Sequence, residues 1–423
     1  MLPANAEIAA LIASRYTPAA LAGIAAFFSR AGTLALAPAG NGLYPASAWL
    51  ATGSLSGYQN AWLRDNVMVA NYLRELRSPA LAPALRTLAE YFHLHRQRFI
   101  DIIGNPELRH DPGRRPHVRF QLETLGEIPG KWAHAQNDAL GYALWLPFRA
   151  ANDGFRELDR LDREVYALFP RYFAAIRYWE DADSGHWEEE RRVNNSSIGV
   201  VVAALEQMKR YVSRHAEWRA ADVAPDDLDD LIARGRRVLA TLPSETPGQR
   251  EADAALLFLI YPLDVVDRGA ASAIVERVAS TLEGEYGIKR YLGDSYWCQE
   301  YDRLLPPGVR TGDFSNHIED RNRLLEPGCE AQWCIFDPAL SVIWGRRYLE
   351  SGDGSDLDMQ TRYFNRALSQ ITPDGRCPEL YYMRDARSRE YAPNDHVPLS
   401  WTQANLGCAL LHMQRSTARA AGA

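Results

Sequence analysis

The chain has 423 residues, a size at which a single small core gives way to two domains or to one large repetitive architecture. Hydrophobic residues make up 47% and charged residues 24%, an ordinary globular profile, and a net charge of −7 argues against nucleic acid as a partner. There is no run of 18 apolar residues, which argues against a membrane-spanning helix.

The N-terminus is rich in alanine, but Glu7 is its first charge, no basic segment precedes the apolar residues, and Arg15 interrupts them. It does not read as a secretory leader, and a cytoplasmic setting is expected. The five cysteines, Cys298, Cys329, Cys334, Cys377 and Cys408, are odd in number and lack a CxxC spacing. Reduced thiols are expected, not a disulfide framework or a zinc site.

Apolar residues spaced by three or four predict helices over 5–28, 60–77, 80–103, 132–150, 158–179, 194–211, 225–241, 249–263, 268–283, 332–350, 356–371 and 400–415. The cleanest is 194–211, where Ile198, Val201, Val202, Leu205 and Met208 share a face and Asn195 or Ser196 can cap the start. Strand-like alternation is scarce. A dozen helices without a dividing linker suggest a closed toroid of helical hairpins, and periodicity alone also fits another large helical array. Four long stretches rich in Gly, Pro, Asp and aromatics remain, 104–131, 181–194, 284–331 and 373–399, and function is expected there.

Five segments concentrate polar and aromatic residues at predicted helix starts or in these loops. Trp62-Leu63-Arg64-Asp65-Asn66 pairs an arginine fork with a carboxylate, which suits sugar hydroxyls and also suits a plain acidic helix start. Lys131 to Asp138 holds more polar groups, Asn137 and Asp138 among them, than capping requires, beside Trp132. In Gly185-His186-Trp187-Glu188-Glu189-Glu190, tryptophan next to a carboxyl can raise its pKa by desolvation, and a solvated acidic turn is the alternative. Lys289 to Trp297 brings Arg290 and Asp294 together with aromatics, and Glu330-Ala331-Gln332-Trp333 follows. Last come Arg376-Cys377-Pro378-Glu379-Leu380 and Pro393 to Gln403, where Glu379 is either functional or a loop carboxylate held by arginines. Trp62, Trp132, Trp187, Trp297, Trp333 and Trp401 all lie in or beside these segments. Each alone reads as core, and their coincidence with acids and amides points to sugar binding.

These segments, in this order, resemble glycoside hydrolase family 15, the glucoamylase family, and its relatives in the α and β subunits of phosphorylase kinase. Trp62-Leu63-Arg64-Asp65 resembles the family's W-x-R-D, Gln136-Asn137-Asp138 its Q-N-D, and Trp187-Glu188-Glu189 with Asn195-Ser196-Ser197 its W-E-E…N-x-S-S. Arg290-Tyr291 with Asp294 and Tyr296 is similar to R-Y-x-x-D-x-Y, and Pro378-Glu379 with Pro398-Leu399-Ser400-Trp401 to P-E…P-L-x-W. The resemblance spans roughly residues 50–412.

It implies an all-α (α/α)6 barrel over 50–415, with 1–49 as a helical lead-in packed on the barrel and 416–423 as a tail. It implies an exo-acting inverting α-glucosidase releasing β-glucose, with Glu188 as acid and Glu379 as base, about 6.5–9.5 Å apart. Trp62, Arg64, Asp65, Trp132, Asn137, Asp138, Trp187, Glu189, Arg290, Asp294, Trp333 and Trp401 would bind an α-glucan or α-gluco-oligosaccharide. No metal or organic cofactor is implied, since two carboxyls suffice, and protein partners are left open. The chain departs from the family in lacking room for an N-terminal β-sandwich or a starch-binding module, and in carrying His134-Ala135 where several members have Arg-Pro. Its wording from Gly293 to Cys298 and from Glu330 to Trp333 is nearer the phosphorylase kinase branch, which brings α-1,6-linked oligosaccharides and trehalose into consideration, and a non-catalytic glucan-sensing module as the reading from another class.

Overall fold

A computed structural model describes residues 3–47, 57–221 and 223–422. The boundary expected between residues 49 and 50 lies outside the described residues.

Twelve helices alternate between an outer and an inner layer. The outer ones are α1 (Pro18–Ala31), α3 (Leu81–Leu94), α5 (Leu168–Ile176), α7 (Pro225–Leu239), α9 (Arg268–Thr281) and α11 (Gly354–Ser369). The inner ones are α2 (Leu63–Glu75), α4 (Asn137–Asn152), α6 (Asn195–Val212), α8 (Leu257–Ile260), α10 (Phe336–Ser351) and α12 (Ser400–Gly422). Each inner helix packs on the next, α2 on α4, α4 on α6, α6 on α8, α8 on α10, α10 on α12, and α12 back on α2. The ring therefore closes, and the fold is an (α/α)6 barrel.

The inner helices are buried on nearly all sides. From Leu63 to Arg74 every residue of α2 is buried. Close approach in the ring is set by glycine: a Cβ on Gly407 of α12 would lie 2.4 Å from the ring of Tyr72 on α2, and one on Gly141 of α4 would lie 2.9 Å from Val200 and 3.1 Å from the Val201 amide of α6. The Tyr72 ring is itself packed and cannot easily yield. Gly407→Ala is expected to lower stability by about 1–3 kcal/mol despite its gain in helix propensity. Thermal unfolding of the variant checks this, and an unchanged or raised midpoint would contradict the close-packed ring.

Several predicted helices are cut by local signals. The expected helix 5–28 becomes Ala6–Leu11 and α1, because Thr17 caps the Ala20 amide and Pro18 opens the new helix. The expected 80–103 splits into α3 and Gln97–Gly104, and 158–179 into Arg160–Tyr166 and α5. The expected 249–263 shrinks to a 3-10 turn, Ala254–Leu256, and the single turn α8. At its end, α12 continues to Gly422, with Ser416 and Thr417 buried. The helix at 194–211 starts after Asn194 without a side-chain cap from Asn195 or Ser196; the buried Glu245 carboxylate takes the Ser196 amide at 2.9 Å instead.

Two small sheets form where strand patterns are short. β1 (Ala61–Trp62) pairs antiparallel with β2 (Arg119–Phe120), setting Trp62 opposite Arg119. β3 (Gln332–Trp333), β4 (Leu380–Asp385) and β5 (Glu390–Pro393) make an antiparallel sheet in the order β3-β4-β5. The predicted helices 60–77 and 332–350 therefore begin one strand late, at Leu63 and Phe336. The expected helix 132–150 likewise begins at Asn137. All five cysteines are free thiols. No helix among the described residues is long and apolar enough to cross a membrane.

Candidate active site

Inner helices α2, α4, α10 and α12 begin at the same end of the barrel, and a pocket opens there. Helix N-termini carry partial positive charge, so carboxylates gathered at this end are favoured. The lining includes Trp62, Arg64 and Asp65 from the start of α2, Trp132 before α4, Trp187 and Glu188 before α6, Arg290, Trp333 before α10, Glu379, and Trp401 in the first turn of α12. Ten of the predicted residues thus meet in one cavity from distant parts of the chain. The other four, Asn137, Asp138, Glu189 and Asp294, stand behind this lining.

Glu188 and Glu189 are neighbours sent in opposite directions. Glu188 has φ 59°, a left-handed conformation that a non-glycine residue adopts at a cost and that recurs at functional sites. Its carboxyl enters the pocket with the side chain 16% exposed, within 3.2 Å of Arg64 Nη2 and 3.5 Å of Trp62 Nε1. Burial raises its pKa, and Arg64, Arg119 and Trp62 recover only part of the shift. Arg64 is committed elsewhere: its Nη1 holds Asp138 at 2.7 Å and Gln136 at 3.0 Å. The sequence points to Trp187 as the indole beside the Glu188 carboxyl. The structure gives that place to Trp62, while Trp187 donates to both oxygens of Asp253 at 3.0 Å.

Glu189 turns into an arginine cage. Its carboxylate accepts from Arg290 Nη2 at 2.9 Å, from Arg321 and from the Tyr291 hydroxyl, with Arg250 at 3.5 Å. Burial alone would raise its pKa, but the three guanidiniums pull it down to about 2. Arg290 also grips Asp294 with two hydrogen bonds, and its guanidinium lies 5.0 Å from the rings of Trp187 and Tyr296 and 5.1 Å from Trp333. Glu189 and Asp294 thus fix a cation in the pocket wall. In the same way Asp138 fixes Arg64, while Asn137 joins the buried pair Arg115–Asp181.

Among the described residues no arginine pairs with Glu379. The sheet explains its surroundings: Cys334 donates its amide to the Glu379 carbonyl at 2.9 Å, and the Glu379 amide donates to the His396 carbonyl at 3.1 Å. The strand return after β5 therefore brings Asn394 and His396 alongside. The carboxylate accepts from Asn394, lies 2.7 Å from His396 Nδ1, and takes the Tyr58 hydroxyl at 2.8 Å. Tyr58 stacks on His396 with centroids 3.7 Å apart and planes within 3°. Burial would raise the Glu379 pKa, but the charge of His396 and the hydrogen bonds outweigh it, and the pKa lies below the ordinary carboxylate range. One pocket therefore holds two carboxyls whose pKa values are pushed in opposite directions, Glu188 up and Glu379 down.

Asp65 is buried beside both, and desolvation, opposed by Arg64 and reinforced by Glu188 and Glu379, pushes its pKa to about 7. Trp62 and Trp132 meet edge to face at 6.1 Å, and the Arg119 guanidinium lies 3.7 Å over Trp132. The indole nitrogens of Trp333 and Trp401 are buried without a hydrogen-bond partner among the described residues. Trp297 does not line the pocket; it packs on Tyr301 and Tyr382 in the core.

Sequence reasoning missed Tyr58, Arg321, Asn394 and His396 as site residues. Asn394 and His396 lay in a quoted segment, and a hairpin returning beside Glu379 would have singled them out. Arg321 sits in a short helix, Ile318–Asn322, inside the longest loop and carries no local signal.

Sequence comparison matches the chain to Glycosyl hydrolases family 15 over residues 26–302. Among curated relatives, the liver isoform of the phosphorylase b kinase regulatory subunit alpha of Takifugu rubripes is 24% identical over 70% of this chain and 24% of its own length. The probable phosphorylase b kinase regulatory subunit alpha of Drosophila melanogaster is 30% identical over 62% of this chain and 22% of its own. The chain thus spans about a quarter of the length of these relatives. Among solved structures, a wild-type glycosidase has a TM-score of 0.63 at 19% identity, covering 98% of this chain and 97% of that one. The glucoamylase of Saccharomycopsis fibuligera has 0.60 at 13%, covering 96% and 97%.

Proposed function

We propose, from the premise that this chain belongs to family 15 of the glycosyl hydrolases, that it hydrolyses terminal α-linked glucose from α-glucans or α-gluco-oligosaccharides with inversion, Glu188 acting as acid and Glu379 as base. The observation that carries this reading is the opposed state of two carboxyls lining one pocket, Glu188 held above the ordinary range and Glu379 below it. In the proposed reaction the glucose ring lies between them. Arg64, Asp65 and Arg290 bind its hydroxyls, and the tryptophans enclose it. Glu188 gives its proton to the glycosidic oxygen as the bond to C1 breaks. Glu379 takes a proton from a water on the opposite face, and that water's oxygen bonds to C1. Both carboxyls then exchange protons with solvent and return to their starting states. Glu189 and Asp294 contribute as positioning residues that hold Arg290. Free thiols fit the expected cytoplasmic setting.

Maltose, isomaltose, maltooligosaccharides and trehalose, followed by glucose release, form the deciding panel. Turnover of at least one supports the reading, and no turnover of any would refute it.

The pH profile of kcat/KM adds a signed test. Its acid limb reports Glu379 becoming protonated and is expected below the ordinary carboxylate range. Its alkaline limb reports Glu188 losing its proton and is expected above that range. Tyr58→Phe deletes one donor to ionised Glu379, so the acid limb should move to higher pH while the alkaline limb stays. A shift of the alkaline limb alone would exchange the two roles.

A second reading rests on the kinase-subunit relatives: a glucan-sensing module without turnover. It predicts saccharide binding and no glucose release. Two carboxyls in one pocket with pKa values pushed in opposite directions favour the enzyme.

A further inference from the structure

In the segment from Arg310 to Asp313, Thr311, Gly312 and Asp313 line the pocket. Its first end is tied on the Glu379 side, where Arg310 pairs with Asp395 at 2.6 Å, next to His396. The same guanidinium donates to the Leu305 carbonyl at 3.0 Å, and the Tyr301 hydroxyl donates to the Arg310 carbonyl at 3.2 Å. Its second end reaches the opposite wall, where Asp313 Oδ2 stands 3.9 Å from Lys131 Nζ, beside Trp132.

Asp313 has one satisfied oxygen and one unsatisfied. Oδ1 accepts the Ser315 amide at 2.9 Å, which fixes the rotamer. Oδ2 is buried and has no hydrogen-bond partner among the described residues, on a side chain only 6% exposed. Lys131 is too distant for a hydrogen bond and is 52% exposed. A buried carboxylate oxygen without a donor is costly, and a donor arriving in the pocket removes that cost. The surroundings tell which donor. Asp313 faces Lys131, next to Trp132, and Trp132 meets Trp62, whose Nε1 is 3.5 Å from Glu188, so Asp313 lies on the Glu188 side of the pocket. That is the side from which the leaving group departs.

Resting on the glucosidase reading above, we propose that Asp313 is a specificity-determining residue of the leaving-group subsite: its inward oxygen accepts a hydroxyl of the departing sugar.

Asp313→Asn tests this, because the amide keeps an oxygen for Ser315 while the inward group becomes a donor. The probes are the disaccharide that the wild-type protein cleaves fastest and α-glucosyl fluoride, whose leaving group has no hydroxyl. The variant should lose about 10- to 100-fold in kcat/KM on the disaccharide, the range for a hydrogen bond to a charged group, and stay within about threefold on the fluoride, at an unchanged melting temperature. Equal losses on both substrates, or no loss on either, would overturn the proposal. If the wild-type protein cleaves neither fluoride nor disaccharide, the glucosidase reading fails by itself. Calorimetry with the panel disaccharides and glucose then decides the subsite: Asp313→Asn must weaken a disaccharide at least tenfold and leave glucose unchanged, and equal effects overturn it.

Discussion

Glu188→Gln and Glu379→Gln are each expected to lower kcat on a disaccharide by about 10²–10⁴-fold, the usual worth of a positioned acid or base, with substrate affinity largely kept. The two losses should separate on α-glucosyl fluoride. Fluoride leaves without a proton, so Glu188→Gln should be largely spared on it. Water must still be activated, so Glu379→Gln should lose activity on both substrates. Glutamine is isosteric, and the partners of Glu379, namely Tyr58, Asn394 and His396, come from segments that hold their own places. Melting temperatures should therefore change little. Steady-state kinetics on the two substrates checks the pair, and a Glu379 variant that keeps its activity would remove it from the mechanism.

The second large effect falls on stability. Arg290→Met takes one guanidinium from two buried carboxylates. Glu189 keeps Arg321 and Arg250, but Asp294, fully buried, is left with the Tyr296 amide at 3.0 Å. Breaking one side of a buried pair costs about 3–5 kcal/mol, because the remaining charge is uncompensated. Denaturant unfolding should show a loss of that size. Arg290→Met with Asp294→Leu should recover part of it, since the stranded charge is gone. If the double variant falls by the sum of two independent losses, the cage is not what holds this wall.

How much of this was legible in the sequence follows from where the information sits. Residues at inner-helix N-termini were legible because each stands beside its own signal: Trp62 to Asp65 before an apolar run, Trp187 and Glu188 before 194–211. The closed ring was expected from a dozen helices without a dividing linker and from the family resemblance, but periodicity alone could not choose it over another helical array, because α2 and α4 are buried on almost every side. The 3-10 turn and α8 were overread as one long helix, since Ala254 to Ile260 are apolar and Pro262 follows closely. The opposition of Glu188 and Glu379 was foreseen by role only. Its cause lies in tertiary partners: Trp62 rather than Trp187, and a stacked Tyr58–His396 pair more than 300 residues apart in sequence. Asp313 drew no notice, because a lone aspartate in a glycine- and proline-rich loop has an ordinary explanation until the pocket shows where it points.

The anomer first released from an α-linked disaccharide tests the central claim most directly. Proton NMR during the first minutes, before mutarotation equilibrates the product, should show β-glucose rising ahead of α-glucose. Initial α-glucose would contradict the assignment of Glu379 as a base acting through water on the opposite face.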